Sequence, residues 1–176
     1  TPSFIVSPER QIWHCFGSCG DGGDVFKFLM KWENLEFPEA LKILAKKAGV
    51  TLRQYKPTEK VKLKEKIYEI NHLTSEFYHY LLTSHNAGQK ALAYALEWGI
   101  SQKSIDFFRL GYAPSLWDGL IKFLVGKKGY MRQDLEKAGL VVTTEEGRKD
   151  YYDRFRNRLI FTLKDHRGNV VGFAGR

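Results

Sequence analysis

The stretch Gln11-Ile12-Trp13-His14-Cys15-Phe16-Gly17-Ser18-Cys19-Gly20-Asp21-Gly22-Gly23-Asp24 decides how the N-terminal part of this chain folds. Gln11 to Phe16 is β-like, and Ser3-Phe4-Ile5-Val6 before it has the same character. Ser7-Pro8-Glu9-Arg10 between them has turn chemistry, which predicts a hairpin. Gly17 to Asp24 is too rich in glycine for either regular element and reads as a loop. Cys15 ends the strand and Cys19 sits in the turn, the layout of a zinc knuckle in which a tight loop aims two thiolates at one ion. The spacing is C-x3-C, one residue longer than the commonest pair. A structural zinc ion takes four ligands, and the chain has 2 Cys. His14 adjoins Cys15, so in a strand it points to the opposite face and makes a poor third ligand. An ordinary pair of reduced cysteines fits the same residues, and on the pair alone both readings stand.

Outward from this stretch, Asp24 is well placed to cap a helix in which Val25, Phe28, Leu29 and Trp32 share one apolar face. A second helix opens at Pro38 and ends at Gly49, with Leu41, Leu44, Ala45 and Ala48 at the same spacing. Residues 53–62 are polar, contain Pro57, lack an apolar period and read as a linker. Leu63, Ile67, Ile70, Thr74, Phe77 and Leu81 then alternate steps of four and three, one buried seam along a helix of about five turns. Shorter helices are expected over 89–98, 101–108, 116–124 and 132–138. Gly99, Gly111-Tyr112-Ala113-Pro114, Gly129 and Gly139 punctuate them.

The period changes again near the C-terminus. Phe155, Leu159, Phe161 and Leu163 occupy one face of a two-residue repeat, with Arg154, Arg156, Arg158, Thr162 and Lys164 on the other. Asp165-His166-Arg167-Gly168-Asn169 reads as a turn and Val170 to Ala174 as a return strand. One strand would thus project three guanidinium groups from one surface, an arrangement suited to a phosphate backbone. A solvated outer face of a half-buried sheet is the plainer reading of the same charges. The chain stops directly after the return strand, which suggests a fragment.

Lys+Arg 28 against Asp+Glu 20 gives a net charge of +8 over 176 residues. From Arg148 to Arg176 eight basic residues face three acids, so the excess is concentrated there. Such a charge favours polyanionic partners. A hydrophobic content of 43% excludes wholesale disorder. No apolar run approaches the roughly eighteen residues of a membrane span, no secretory signal is evident, and the cysteine usage reads as cytoplasmic. Gly20-Asp21-Gly22-Gly23-Asp24 is no phosphate loop, because its acids repel an anion and the P-loop order is missing. The 5 His residues show no metal-ligand spacing, and no carboxylate cluster suits a magnesium pair. From the residues alone, this is a nucleic-acid-binding chain without a catalytic centre.

Two motif groups carry a resemblance. Thr1-Pro2-Ser3-Phe4, His14-Cys15-Phe16-Gly17, Cys19-Gly20, Gly22-Gly23-Asp24-Val25-Phe26 and Phe37-Pro38-Glu39-Ala40-Leu41 closely resemble the zinc-binding domain of bacterial DnaG-type DNA primases. Tyr152-Asp153-Arg154-Phe155-Arg156-Asn157-Arg158-Leu159-Ile160-Phe161 resembles the first basic motif of that family's RNA-polymerase domain. Gly172-Phe173-Ala174-Gly175-Arg176 resembles the glycine-arginine segment that follows it. The sequence departs from the family at Ser18, which looks like an insertion into C-x-x-C, at Thr162 where proline is common, and at Ala174 where glycine is common.

The resemblance implies an α+β fold: a truncated zinc-ribbon domain over 1–52, a linker over 53–62, and a helical region with an antiparallel strand pair opening the polymerase core over 63–176. It implies synthesis of short RNA primers on single-stranded DNA from ribonucleoside triphosphates. It makes Cys15 and Cys19 the second half of a four-ligand zinc site whose first pair lies upstream. Arg154, Arg156, Arg158 and Arg176 become the template and nucleotide contacts. Magnesium or manganese is implied for the whole enzyme, on acids beyond this chain, so no catalytic residue carries over. A replicative helicase is implied as a partner through a region absent here. Two rivals are a phage or mobile-element primase-like protein and a non-enzymatic zinc-ribbon DNA-binding protein.

Overall fold

The computed structural model describes residues 3–52, 58–144 and 150–176. Contacts divide the chain into two units, Thr1–Thr58 and Glu59–Arg176.

In the first unit the expected hairpin forms. β1 (Phe4–Ser7) pairs antiparallel with β2 (Ile12–Cys15), with Phe4 opposite Cys15 and Ser7 opposite Ile12. Gln11 closes the turn with a φ of 55°. The expectation that 17–24 contains no regular element is corrected: Gly22–Gly23 form a short β3 against β2, with Gly23 opposite Trp13. A Cβ on Gly22 would lie 2.8 Å from the Trp13 carbonyl oxygen. The glycine, normally a poor strand former, is what lets the backbones approach. α1 (Val25–Trp32) starts as expected, its Lys27 N–H donating to the Asp24 carboxylate at 2.8 Å. α2 (Phe37–Lys47) carries Pro38 in its first turn and is followed by Gly49 at φ +69°. Trp13 is the centre of the packing, its ring 5.5 Å from Phe4 and 5.8 Å from Phe28. The apolar face of α1 is only partly covered, and Trp32 keeps 72% of its surface exposed.

The second unit is organised by α3 (Glu59–Thr83). Of the expected linker, residues 53–57 lie outside the described residues and Glu59–Lys62 are already helical. Ile70, Thr74 and Leu81 of the expected seam are buried, but so are Asn71, Ser75 and Tyr78 beside it. Two of these polar groups have partners that local sequence does not reveal. Asn71 Nδ2 donates to the Val170 carbonyl at 3.2 Å, and Ser75 Oγ meets Thr162 Oγ1 at 3.0 Å. The chain continues through α4 (Gln89–Glu97), α5 (Gln102–Phe108), β4 (Gly111–Ala113) and α6 (Gly119–Ile121). A wide π-type turn over Lys122–Lys127 leads to α7 (Arg132–Lys137), then β5 (Val141–Thr143), β6 (Tyr151–Asp153), β7 (Arg158–Lys164) and β8 (Val170–Gly175). Gly111 to Ala113 is therefore a strand and not a turn.

The strands form an antiparallel sheet ordered β4-β7-β8 and a separate β5-β6 pair. β7 is central, and it corrects two expectations. The strand starts at Arg158, because Arg154 to Asn157 form an irregular loop whose Asn157 turns back with φ 48°. Nor is one face of the strand solvated. Ile160 enters a core with Ile70, Tyr78, Leu124 and Leu135, while its neighbour Leu159 enters a second core with Leu82, Ala95 and Ile105. Adjacent strand residues point to opposite faces, so apolar packing covers both. Phe155 packs against the first core, away from Leu159. Among the described residues no helix is long and apolar enough to cross a membrane.

Candidate nucleic-acid interface and metal half-site

The loop between β6 and β7 carries the basic motif, and one carboxylate fixes it. Asp153 is 4% exposed. Its Oδ2 accepts from Leu120 N at 2.7 Å and its Oδ1 from Ile121 N at 3.1 Å, satisfying donors at the start of α6. Its own N–H donates to the Trp117 carbonyl at 2.7 Å, and its carbonyl accepts from Arg156 Nη1 at 2.9 Å. Burial is the chief cause that pushes the Asp153 carboxyl up to about 6, against the two N–H bonds that favour the charged form.

The three arginines take different roles. The Arg156 guanidinium lies 4.2 Å from the Trp117 ring centre and 4.8 Å from that of Tyr152. This aromatic cage and the Asp153 carbonyl occupy it within the protein. Arg154 and Arg158 flank it and are exposed. Neither makes an ion pair with a described residue, so both forks are available to a phosphate. Arg154 is anchored through its N–H to the Leu140 carbonyl at 2.9 Å, and Asn157 N–H donates to Pro114 O at 3.2 Å. The expected row of three equal side chains on one strand is thus a caged Arg156 flanked by Arg154 and Arg158, which have no ion pair among the described residues.

Arg176 does not join them. It exchanges backbone hydrogen bonds with Leu159, both at 2.9 Å, so its side chain leaves the sheet on the Leu159 face, opposite to that of Arg158. There its guanidinium lies 3.9 Å from the Trp98 ring centre. Sequence reasoning missed Trp117 and Trp98, and gave no role to Tyr152 and Asp153, which it quoted at the start of the basic motif.

In the first unit the knuckle brings the thiols together. Cys15 N–H donates to Asp21 O at 2.7 Å, Gly20 N–H to Gly17 O at 3.2 Å, and Gly20 takes φ +54°. The Cys15 thiol is hydrogen-bonded by the Cys19 side chain first and by the Gly17 N–H second, which lower it from its ordinary value. Asp21 bonds Lys27 Nζ at 2.9 Å and Lys31 Nζ, and these lysines hold its carboxyl well below the usual range while tying the knuckle to α1. The His14 ring lies on the other side of β2, 4.4 Å from Phe16.

Comparison with known proteins identifies the architecture. Residues 77–176 match the family described as the N-terminal domain of the DNA primase catalytic core, and residues 1–60 match the CHC2 zinc finger of DnaG. The chain belongs to the DnaG-type DNA primase family. A DNA primase of Geobacillus stearothermophilus is 45% identical over the whole chain and one of Deinococcus radiodurans 43%, and the chain spans 30% and 29% of their lengths. Among solved structures, the Aquifex aeolicus primase zinc-binding and RNA-polymerase domains align with all of this chain and 40% of theirs, at 37% identity and a TM-score of 0.55. A DnaG primase catalytic domain bound to single-stranded DNA covers 65% of this chain and 36% of its own, at 33% identity and a TM-score of 0.57.

Zinc is the metal that the CHC2 family implies. The two adjacent thiols fit half of such a site. Among the described residues no group of three or more His, Cys, Asp or Glu side chains could complete it. Two thiolates hold zinc far more weakly than four ligands. Metal analysis of the purified chain after dialysis is therefore expected to find substoichiometric zinc. One tightly bound zinc per chain would contradict the half-site.

Proposed function

We propose that this chain is the zinc-ribbon and template-binding segment of a DNA primase that makes short RNA primers on single-stranded DNA. In this reading the unit Thr1–Thr58 is the zinc-ribbon module, with Cys15 and Cys19 as two of its ligands. Glu59–Arg176 opens the RNA-polymerase core. Arg154 and Arg158 neutralise template phosphates, Arg156 keeps their loop in shape, and Arg176 serves template or nucleotide from the other face of the sheet. Phosphoryl transfer from ribonucleoside triphosphates, in the cytoplasm, would rely on magnesium or manganese held by residues outside this chain. The replicative helicase would also be met outside it.

The observation that carries this reading is the pair of exposed arginines without an acidic partner among the described residues, Arg154 on a loop anchored at both ends and Arg158 where that loop enters β7. Each phosphate neutralised on a single strand releases condensed counterions and contributes about −0.7 to the slope of log K against log salt. Binding of the chain to a single-stranded oligonucleotide, followed by fluorescence anisotropy from low to physiological salt, should give a slope of about −1.4 or steeper, the value for the two phosphates on Arg154 and Arg158. A slope near zero would remove the template-binding role.

A further inference from the structure

Arg156 and Arg158 stand two residues apart, the spacing at which an extended chain sends both side chains to one face. The protein parts them at Asn157. This residue takes φ 48°, a left-handed conformation that most L residues avoid and that asparagine tolerates because its short side chain bonds locally. Two hydrogen bonds hold it there. Its N–H donates to the Pro114 carbonyl at 3.2 Å, and its Oδ1 accepts from the Tyr112 hydroxyl at 3.0 Å. Tyr112 lies opposite Leu159 in the sheet and packs against the second core, so the hydroxyl is presented by an anchored ring. On one side of the turn Arg156 folds back onto Trp117, Tyr152 and the Asp153 carbonyl. On the other, Arg158 enters β7 opposite Ala113 and is exposed. An extended residue at 157 would return Arg158 to the face on which Arg156 is held.

We propose that Asn157 is a positioning residue for the template contact: its left-handed turn, locked by the Tyr112 hydroxyl, directs Arg158 away from the caged Arg156 and toward the phosphates of the strand. The inference rests on the reading of Arg154 and Arg158 as phosphate contacts. Asn157 meets no phosphate and acts through Arg158. Because the turn is set in the sheet, the guanidinium needs less ordering at binding.

The test measures binding of a single-stranded oligothymidylate across a salt series for N157A, N157G and Y112F, each in the parent and in R158A. N157A and N157G both lose the Tyr112 bond and differ in their tolerance of positive φ. In the parent, N157A should weaken binding about tenfold and make the slope of log K against log salt shallower by about 0.7, one phosphate contact. N157G and Y112F should lose about two- to threefold and keep the slope, because the turn survives without its lock. None of the three should weaken R158A further, since the residue acts only through that arginine. Parental affinity and slope in N157A would show that the turn is not needed. Equal weakening with and without Arg158 would show that Asn157 serves the fold alone. Either result overturns the positioning role and leaves template binding intact, whereas R158A binding as tightly as the parent would remove Arg158 from the template reading itself. Near-UV circular dichroism reports whether each variant folds. Should N157A unfold, Y112F decides: its loss must appear only where Arg158 is present, and an equal loss in R158A overturns the proposal.

Discussion

Replacing Asp153 with alanine should destabilise the second unit by about 3 kcal/mol, because two buried N–H donors at the start of α6 lose a charged acceptor at once. No other described group bonds the Leu120 or Ile121 N–H, and both residues are buried, at 1% and 5% exposure. Urea denaturation monitored by circular dichroism measures the loss, and a midpoint unchanged from the parent chain would contradict it. The pH dependence adds a signature that a simple cavity lacks. Burial raises this carboxyl from its ordinary 3.8 to about 6, so the folded chain holds the proton more tightly than the unfolded chain. Its contribution to stability is full below about pH 4 and falls as pH rises to about 6. D153N cannot titrate, and its amide leaves one N–H donor facing another donor. The stability difference between the parent and D153N should therefore change between about pH 4 and 6 and be flat above. A difference independent of pH would show that Asp153 does not titrate there.

Gly111→Ala should cost a similar amount for a steric reason. A Cβ at this position would lie 2.5 Å from the Tyr78 Cβ and 2.8 Å from the Tyr78 carbonyl carbon. Tyr78 is 1% exposed and fixed in the middle of α3, with its ring edge-on to Phe173, so it has nowhere to move. The strand must retreat from the helix, opening the core that β4 and α3 share. Overpacking against backbone costs about 1–3 kcal/mol, and the close approach here puts Gly111 at the upper end. The urea midpoint should fall by about 1 M at an m-value of about 3 kcal/mol/M. A variant as stable as the parent would mean that α3 and β4 do not approach this closely.

What the sequence made legible was local. Asp24 capping α1, Pro38 in the first turn of α2, the hairpin around Ser7–Gln11 and the Asp165–Asn169 turn all depend on neighbours within a few residues. Period and turn chemistry report those directly. The misreadings have a common cause in distant partners. Gly22–Gly23 and Gly111–Ala113 look like loops because glycine disfavours strands, yet each is a strand because another backbone must come close. The strand over Arg158–Lys164 looks half-solvated from its alternating pattern. Its edges are taken by β4 and β8 and its faces by two cores, Ile160 packing with Ile70 and Tyr78 and Leu159 with Ala95 and Ile105, while its Thr162 donates to the Arg109 carbonyl at 3.0 Å.

The candidate site divides in the same way. Arg154, Arg156, Arg158 and the two cysteines stand out in the sequence by charge and spacing. That Arg156 is caged while Arg154 and Arg158 have no ion pair among the described residues could not be read, because Trp117 lies far upstream and is brought to the loop by the Asp153 hydrogen bonds. Arg176 follows the same logic. Its separation from the other arginines depends on which face of the sheet Leu159 faces, a property of strand pairing.

The central claim is that Arg154 and Arg158 hold a single strand through its phosphates. Its most direct test is the salt dependence of oligonucleotide binding for the parent chain and R154A/R158A, measured side by side. Loss of two phosphate contacts should make the slope of log K against log salt shallower by about 1.4, at about 0.7 for each contact. Equal slopes would show that the two arginines are surface charge and that the strand is held elsewhere.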